Sequence, residues 1–143
     1  MQKNKLFSVA IALVLIAFFT TGWVSPRPAP ISPAAVTITA SYDFSTFPNV
    51  LGTFVTTGAL TISGTSTMDV GPNINGARAH CVVTLTASDG SGTITIHQEC
   101  AFNTPTPQGS WEIVSGTGAY TNLKGNGPLT MPGNQEAMTG VIY

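Results

Sequence analysis

The chain has 143 residues, of which 43% are hydrophobic and only 8% are charged, and its formal net charge at pH 7 is −1. From Val36 onward two cations stand against six acids, a side-chain charge of −4. Because a sparse acidic surface cannot track phosphates, the composition argues against nucleic acid and anionic membranes as partners.

The N-terminus has the pattern of a signal peptide. Lys3 and Lys5 precede an apolar run of about fourteen residues, 6–19, which is short for a bilayer span of roughly 20 residues. We therefore predict a signal peptide over 1–22, with cleavage between 22 and 35, and a secreted or periplasmic protein. Extension of the run to Trp23 gives the alternative, an N-terminal single-pass membrane anchor.

A proline-rich segment, 23–35, follows. It carries Pro26, Pro28, Pro30 and Pro33, which favour polyproline II and remove amide donors. The segment is predicted to be a semi-rigid spacer, which leaves 36–143, about 108 residues, for one folded domain.

From Val36 onward the sequence alternates between apolar and polar residues, which indicates strands with one buried face. In the first strand the predicted buried face runs from Val36 to Phe44. Further strands are predicted at 52–57, 59–69, 78–87, 93–102, 109–115, 125–131 and 137–143. Eight short strands with tight turns predict an all-β fold, an antiparallel eight-stranded up-and-down barrel, with a β-sandwich as the alternative.

Cys81 and Cys100 lie in a predicted hairpin whose turn includes Asp89-Gly90. A turn centred between 90 and 91 places the two cysteines directly opposite each other on the apolar face, where Gln98 is the one misfit. Because opposed positions are within disulfide range and the chain is predicted to be exported, we expect a Cys81–Cys100 disulfide.

No catalytic or metal-binding pattern is complete. His80 and His97 lie on the face opposite the cysteines, so alternation argues against a metal site, and we predict no metal and no cofactor. G-x-S-x-G and H-E-x-x-H are both absent from the sequence. Glu99 is expected to lie diagonally opposite His80 and to form with it a solvent-exposed ion pair that contributes little to stability. We predict no catalytic residues.

Four aromatic residues are candidates for lining a cavity or its rim, with packing in the core as the alternative. They are Tyr42, Phe54, Trp111 and Tyr120.

The stretch GSWEIVSGTGAYTNLKGNG, 109–127, is rich in glycine and has one lysine. A phosphate loop is excluded, because Thr121 replaces the third glycine of G-x-G-x-x-G and no long helix follows. The stretch predicts a strand, a turn and a second strand. The glycines of the turn are expected to adopt backbone angles that a Cβ would penalise; they are Gly116, Gly118, Gly125 and Gly127.

The pattern W-x-I-V-S-G-T-G-A-Y-x-x-L-x-G-x-G over 109–131 resembles small exported bacterial proteins with an allene oxide cyclase-like or dirigent-like barrel. GTF at 52–54, the cysteine hairpin and the final TGVIY add to the resemblance. It implies an eight-stranded barrel plugged by Tyr120 and Leu123, an apolar lumen, and homo-oligomers such as trimers. The catalytic residues of the plant enzymes match no positions here.

Three functions are compatible with this sequence. The first is a non-enzymatic exported barrel that binds a small apolar ligand or a surface partner. The second is a cavity enzyme of isomerase, cyclase or dirigent type, which needs few polar groups. The third is an extracellular structural or adhesive protein, which the Thr/Ser-rich strands and the proline spacer would suit.

Overall fold

The computed structural model describes residues 32–71 and 77–143. The predicted signal peptide and most of the predicted spacer lie outside the described residues. Within them the chain forms eight strands: β1 Ala34–Asp43, β2 Asn49–Gly58, β3 Ser63–Val70, β4 Arg78–Ala87, β5 Thr93–Ala101, β6 Gln108–Gly116, β7 Gly125–Thr130 and β8 Gln135–Ile142. Two 3-10 turns, Phe44–Thr46 and Gly118–Tyr120, connect β1 to β2 and β6 to β7. In these described ranges no helix is both long enough and apolar enough to span a membrane.

The strands form a closed antiparallel barrel in which each strand pairs with the next along the chain. β1 also pairs with β8, from Ala34 opposite Ile142 to Ser41 opposite Gln135, so the described sheet has no free edge. The predicted up-and-down barrel is confirmed, and the alternative of a sandwich is wrong.

The inward positions of each strand form the core, as the period-two pattern predicts. In β1 the residues Val36, Ile38, Ala40 and Tyr42 are 0–3% exposed. Phe44, predicted on the same face, is 41% exposed, because it begins a 3-10 turn in which strand alternation no longer applies. β1 also begins at Ala34, two residues before the predicted start of the domain.

The β4–β5 hairpin has the predicted faces but a different register. Cys81 pairs with Gln98 and Cys100 pairs with Ala79, so the predicted direct opposition of the two cysteines is wrong. The loop of the hairpin is centred one residue earlier, between 89 and 90, since the Ala87 amide donates to the Gly92 carbonyl at 3.1 Å and Thr86 pairs with Thr93. A shift of two residues leaves every side chain on its predicted face.

The two ends of the barrel differ in their loops. The phenylalanine end, as we call it, comprises loops 44–48, 102–107 and 131–134, and it carries Phe44, Phe47 and Phe102 at 41%, 65% and 40% exposure. The opposite end comprises loops 59–62, 88–92 and 117–124. Tyr120 is buried at that opposite end, and Leu123 packs against the core beside it.

Candidate functional site

Four polar side chains point into the barrel in its half nearest the phenylalanine end. Tyr42 of β1, Ser66 of β3, Gln98 of β5 and Glu136 of β8 are between 0% and 3% exposed. Each occupies an inward position of its strand, so the alternation that builds the core also places these polar groups inside it. We refer to these four residues as the lumen polar cluster.

Gly52 explains how Tyr42 joins this cluster. In the register of β1, β2 and β3, Gly52 lies between Tyr42 and Ser66. A Cβ on Gly52 would stand 2.8 Å from the Tyr42 ring and 2.8 Å from Ser66 Oγ. The missing side chain therefore gives the tyrosine ring the space in which it lies over β2.

The hydrogen bonds of the lumen polar cluster are incomplete: Tyr42 and Glu136 lie on the paired strands β1 and β8, and only the contact of Gln98 with Met138 spans the lumen, from β5 to β8. The Tyr42 hydroxyl donates to Glu136 Oε2 at 3.0 Å, and Gln98 Nε2 lies 3.3 Å from the thioether sulfur of Met138. Three buried atoms have no partner in hydrogen-bond geometry: Ser66 Oγ, Gln98 Oε1 and Glu136 Oε1. Ser66 and Gln98 nevertheless lie close enough to Tyr42 and Glu136, respectively, to offset part of the rise that burial causes in the pKa of each. A buried polar atom left unpaired costs about 1–3 kcal/mol, so this cluster is not what stability alone would select.

The electrostatics of the cluster favour a neutral carboxyl group. Burial is the main cause of the raised pKa of Glu136, and the neighbouring side chains of Gln98 and Tyr42 offset it only in part. The pKa of Tyr42 is also raised above its usual range, by burial and then by the charge of Glu136. The two cations of the described ranges, Arg78 and Lys124, are exposed, so neither supplies a buried counter-charge.

Cys81 and Cys100 lie beside the cluster as buried free thiols, 3% and 2% exposed. They are diagonal neighbours across β4 and β5, since their direct partners are Gln98 and Ala79. The thiols still interact: the pKa of Cys100 is raised by its hydrogen bond with Cys81 and by burial. The charge of Glu136 raises the pKa of both thiols further, although that of Cys81 is lowered overall by its hydrogen bond with Cys100.

The four aromatic candidates from the sequence all lie inside the barrel. Tyr42, Phe54 and Trp111 are 2–3% exposed and Tyr120 is 6% exposed. Only Tyr42 contributes a polar atom to the lumen polar cluster. The Trp111 indole N–H donates to the carbonyls of Pro128 and Thr139 at 3.1 and 3.0 Å, where the paired positions of β7 and β8 are interrupted.

The glycines of the turn at 116–127 are needed for two different physical reasons. Gly118 has a φ of +58°, as expected for a residue that avoids the penalty of a Cβ. Gly116, Gly125 and Gly127 lack a positive φ, so the prediction of unusual backbone angles is wrong for them. Their constraint is close approach, because a Cβ on each would run into a backbone carbonyl: that of Tyr120, Val141 or Thr139 respectively.

The outer face of β4 to β7 bears a shallow groove of about 790 Å³ whose lining includes His80, His97, Glu99 and Glu112. His80 pairs directly with Glu99, not diagonally, and His80 Nδ1 lies 3.6 Å from Glu99 Oε1 on side chains that are 58% and 69% exposed. The register also brings His80 and His97 to diagonal positions on β4 and β5. Even so, the described residues contain no group of three or more histidines, cysteines or acids placed to hold a metal ion.

Sequence reasoning missed Glu136, which was expected just outside the last strand. A signal was present, because the buried positions Met138 and Ile142 of β8 extend by steps of two back to Glu136. Gln98 was noticed as a misfit on an apolar face, but the pattern gave no means of seeing that it meets β8 across the lumen.

The fold and the lumen polar cluster define a closed eight-stranded antiparallel barrel with a buried acid inside. A family model for proteins of unknown function, DUF3224, matches residues 52–141, which is more than half of the chain. The chain therefore belongs to the DUF3224 family. Searches of curated proteins and of solved structures found no match.

Proposed function

We propose that this protein is an exported barrel that binds a small, largely apolar ligand in the half of its lumen nearest the phenylalanine end. The observation that carries the proposal is the set of three unpaired polar atoms on Ser66, Gln98 and Glu136. Buried polar groups in native proteins are nearly always paired, so a set of three unpaired atoms calls for an explanation, and a bound guest with polar atoms would supply one.

The surroundings of the cluster suit such a ligand. Val50, Met68, Leu129 and Met138 are 0–2% exposed and give the lumen an apolar wall. Ligand sites are mostly apolar with a few placed polar groups, which is the composition found here. Methionine side chains repack easily, so Met68 and Met138 allow the lumen to open around a guest.

Exposed phenylalanines mark the end at which a ligand enters. Phe47 is 65% exposed, and Phe44 and Phe102 lie on other loop positions of the same end. Exposed aromatic side chains at the mouth of a barrel offer an apolar path from solvent to the lumen.

Recovery of a guest from the native source tests this proposal. The protein is purified from its host without detergent and analysed by native mass spectrometry beside its denatured form. We expect an excess mass that disappears on denaturation. A native mass equal to that of the polypeptide, together with no stabilisation by any apolar compound, would contradict the proposal.

Catalysis in the lumen is a second candidate, and Glu136 favours it. A carboxyl group with a raised pKa, hydrogen-bonded to a tyrosine in a water-poor site, suits general acid–base chemistry on a bound substrate. An isomerase, cyclase or dirigent-type reaction would then use Glu136. The guest recovered above distinguishes the two functions: a binding protein returns it unchanged after incubation, whereas an enzyme converts it.

Export and the disulfide belong to the same proposal. Lys3, Lys5 and the apolar run 6–19 support a cleaved signal peptide, and an oxidising compartment would allow Cys81 and Cys100 to oxidise despite their diagonal positions. The N-terminal sequence of the protein recovered from its host tests the export. A mature start between residues 23 and 36 is expected, and an intact Met1 in the cytoplasm would refute it.

A further inference from the structure

The phenylalanine end carries exposed aromatic rings on opposite sides of the barrel mouth. Four phenylalanines lie in the described ranges: Phe54 is buried, and Phe44, Phe47 and Phe102 are 41%, 65% and 40% exposed. Phe44 and Phe47 lie between β1 and β2, whereas Phe102 lies between β5 and β6, four strands further round the closed sheet. The rings therefore define a plane across the axis of the barrel, and the surface that they offer is its end and not its side.

Backbone hydrogen bonds hold the segments that carry these rings. The Phe47 amide donates to the Phe44 carbonyl at 3.3 Å, which closes the 3-10 turn between them. The Phe102 amide donates to the Ala77 carbonyl at 2.8 Å. The exposure of the rings thus results from the fold, and little ordering of these loops is needed when a partner binds.

The loops of the phenylalanine end carry no charge. No Asp, Glu, Lys, Arg or His occurs in 44–48, 102–107 or 131–134, whose sequences are FSTFP, FNTPTP and MPGN. The loops of the opposite end, in contrast, contain Asp89 and Lys124. Uncharged loops can contact an apolar medium without the large cost of desolvating a charge.

The exposed area of the rings favours a lipid surface over a second copy of the chain. At about 200 Å² for a whole aromatic side chain, the three rings together expose on the order of 300 Å². Two copies joined through these rings would bury on the order of 600 Å², about half of the roughly 1,200 Å² at which stable specific interfaces begin. A bilayer requires no matching shape, because apolar side chains insert at the boundary between its head groups and acyl chains.

The charges on the adjoining strands select the kind of lipid. Asp43, Asp69 and Glu99 are exposed near the strand ends on this side of the barrel. Among the described residues, Arg78 is the one lysine or arginine beside them. Because acids outnumber cations there, an anionic lipid surface would be repelled, whereas a zwitterionic surface carries no net charge.

We propose that the phenylalanine end docks the barrel onto the surface of a zwitterionic lipid bilayer, with Phe44, Phe47 and Phe102 inserted among the lipids. Exposed apolar surface that is rimmed by polar residues marks sites of this kind. The docking requires no guest in the lumen and no change in the protonation of Glu136, so it goes beyond the function proposed above.

Quenching of tryptophan fluorescence by brominated phosphatidylcholine in vesicles tests which end of the full chain meets the lipid. The single substitutions Phe47→Trp and Phe102→Trp each place a reporter at the phenylalanine end. Tyr143→Trp is the matched control, since Tyr143 is a 42% exposed aromatic residue at the opposite end. After subtraction of the signal of the unaltered protein, we expect strong quenching of both reporters at the phenylalanine end and little at the control position.

A second substitution measures the contribution of one ring. Added to Phe102→Trp, Phe47→Ser should weaken the vesicle affinity read from the quenching at least about tenfold, because it removes one apolar ring from the contact. Val55→Ser is the control, since Val55 is 51% exposed on the outer face of β2, and it should leave the affinity unchanged. All of these positions are exposed, so the thermal midpoints should show that each variant is folded. Replacement of part of the phosphatidylcholine by phosphatidylglycerol should not tighten the binding.

Several results would overturn the docking. One is quenching at the phenylalanine end no stronger than at Tyr143→Trp, and another is an affinity that Phe47→Ser leaves unchanged. Tighter binding to vesicles with phosphatidylglycerol that is lost at high salt would show an electrostatic attachment instead. A protein that binds no vesicles but forms dimers that Phe47→Ser dissociates would assign this end to a second copy of the chain.

Discussion

The buried acid of the lumen makes the stability of the barrel depend on pH. Because burial raises the pKa of Glu136 above its ordinary value of 4.5, the folded protein holds this proton more tightly than the unfolded chain does. The stability linked to Glu136 is therefore fully present below pH 4.5 and is lost as the pH rises toward the folded pKa. Replacement by glutamine, Glu136→Gln, removes this dependence and keeps an oxygen that accepts the Tyr42 hydroxyl.

The magnitude follows from the environment of the carboxyl group. Glu136 is 0% exposed, one of its oxygens is unpaired, and no described cation is buried with it. An unpaired buried acceptor costs about 1–3 kcal/mol and more when charged, so Glu136→Gln should be about 1–3 kcal/mol more stable at pH 8. Near pH 4 the two proteins should be equally stable within about 0.5 kcal/mol, since both side chains are then neutral.

Scanning calorimetry from pH 4 to pH 8 at constant ionic strength measures this difference. For a domain of this size 1 kcal/mol corresponds to about 4–8 °C in the thermal midpoint, so the expected gain at pH 8 is readily resolved. Glu112→Gln, on the outer face, should follow the unaltered protein at every pH. Midpoints of Glu136→Gln and the unaltered protein that differ by a constant amount over the whole range would refute the reasoning, because the charge would then carry no cost.

Three further predictions concern the rest of the barrel. Trp111→Phe should lower the free energy of unfolding by about 1–3 kcal/mol in urea titrations, because the carbonyls of Pro128 and Thr139 lose their shared donor; an unchanged midpoint would mean that water replaces it. Gly127→Ala should destabilise the barrel by at least about 1 kcal/mol, since its Cβ would meet the Thr139 carbonyl, while Gly133→Asn, with open space and a φ of +69°, should be nearly neutral. Denatured protein recovered from an oxidising compartment should gain no mass from an alkylating agent before reduction and two adducts after it; adducts on Cys81 and Cys100 before reduction would exclude the disulfide.

The fold was predictable because one local rule, alternation, holds over nearly every strand. Val36 to Tyr42 and the cysteine hairpin show the pattern clearly, and the predicted strand ranges overlap all eight observed strands. The register of the hairpin could not be predicted from this rule. Alternation fixes which face a residue occupies but is indifferent to a shift of two, and Cys81 opposite Cys100 satisfied the pattern as well as Cys81 opposite Gln98 does.

Most of the candidate site could not be predicted, because it does not follow a local rule. Glu136 and Gln98 break the local pattern, and their meaning depends on a contact across the lumen between β8 and β5, 38 positions apart along the chain. Gly52 is a similar case, since its role is to leave space for the ring of Tyr42. No pattern of neighbouring residues in the sequence indicates either the contact between β5 and β8 or the space beside Gly52.

The distribution of buried polar groups supports the proposed site in the lumen. Thr56 is buried toward the opposite end, and its hydroxyl is paired both as donor and as acceptor. It donates to the Leu60 carbonyl at 2.8 Å and accepts from the Ile62 amide at 2.9 Å. The orphaned atoms of Ser66, Gln98 and Glu136 lie instead in the half nearest the exposed phenylalanines. Selection for stability alone would not leave buried polar atoms unpaired in one half of the barrel, since apolar side chains would fill both halves. The incomplete half is thus where the proposed guest is expected, and the opposite half, in which the hydroxyl of Thr56 is fully paired, stabilises the closed barrel.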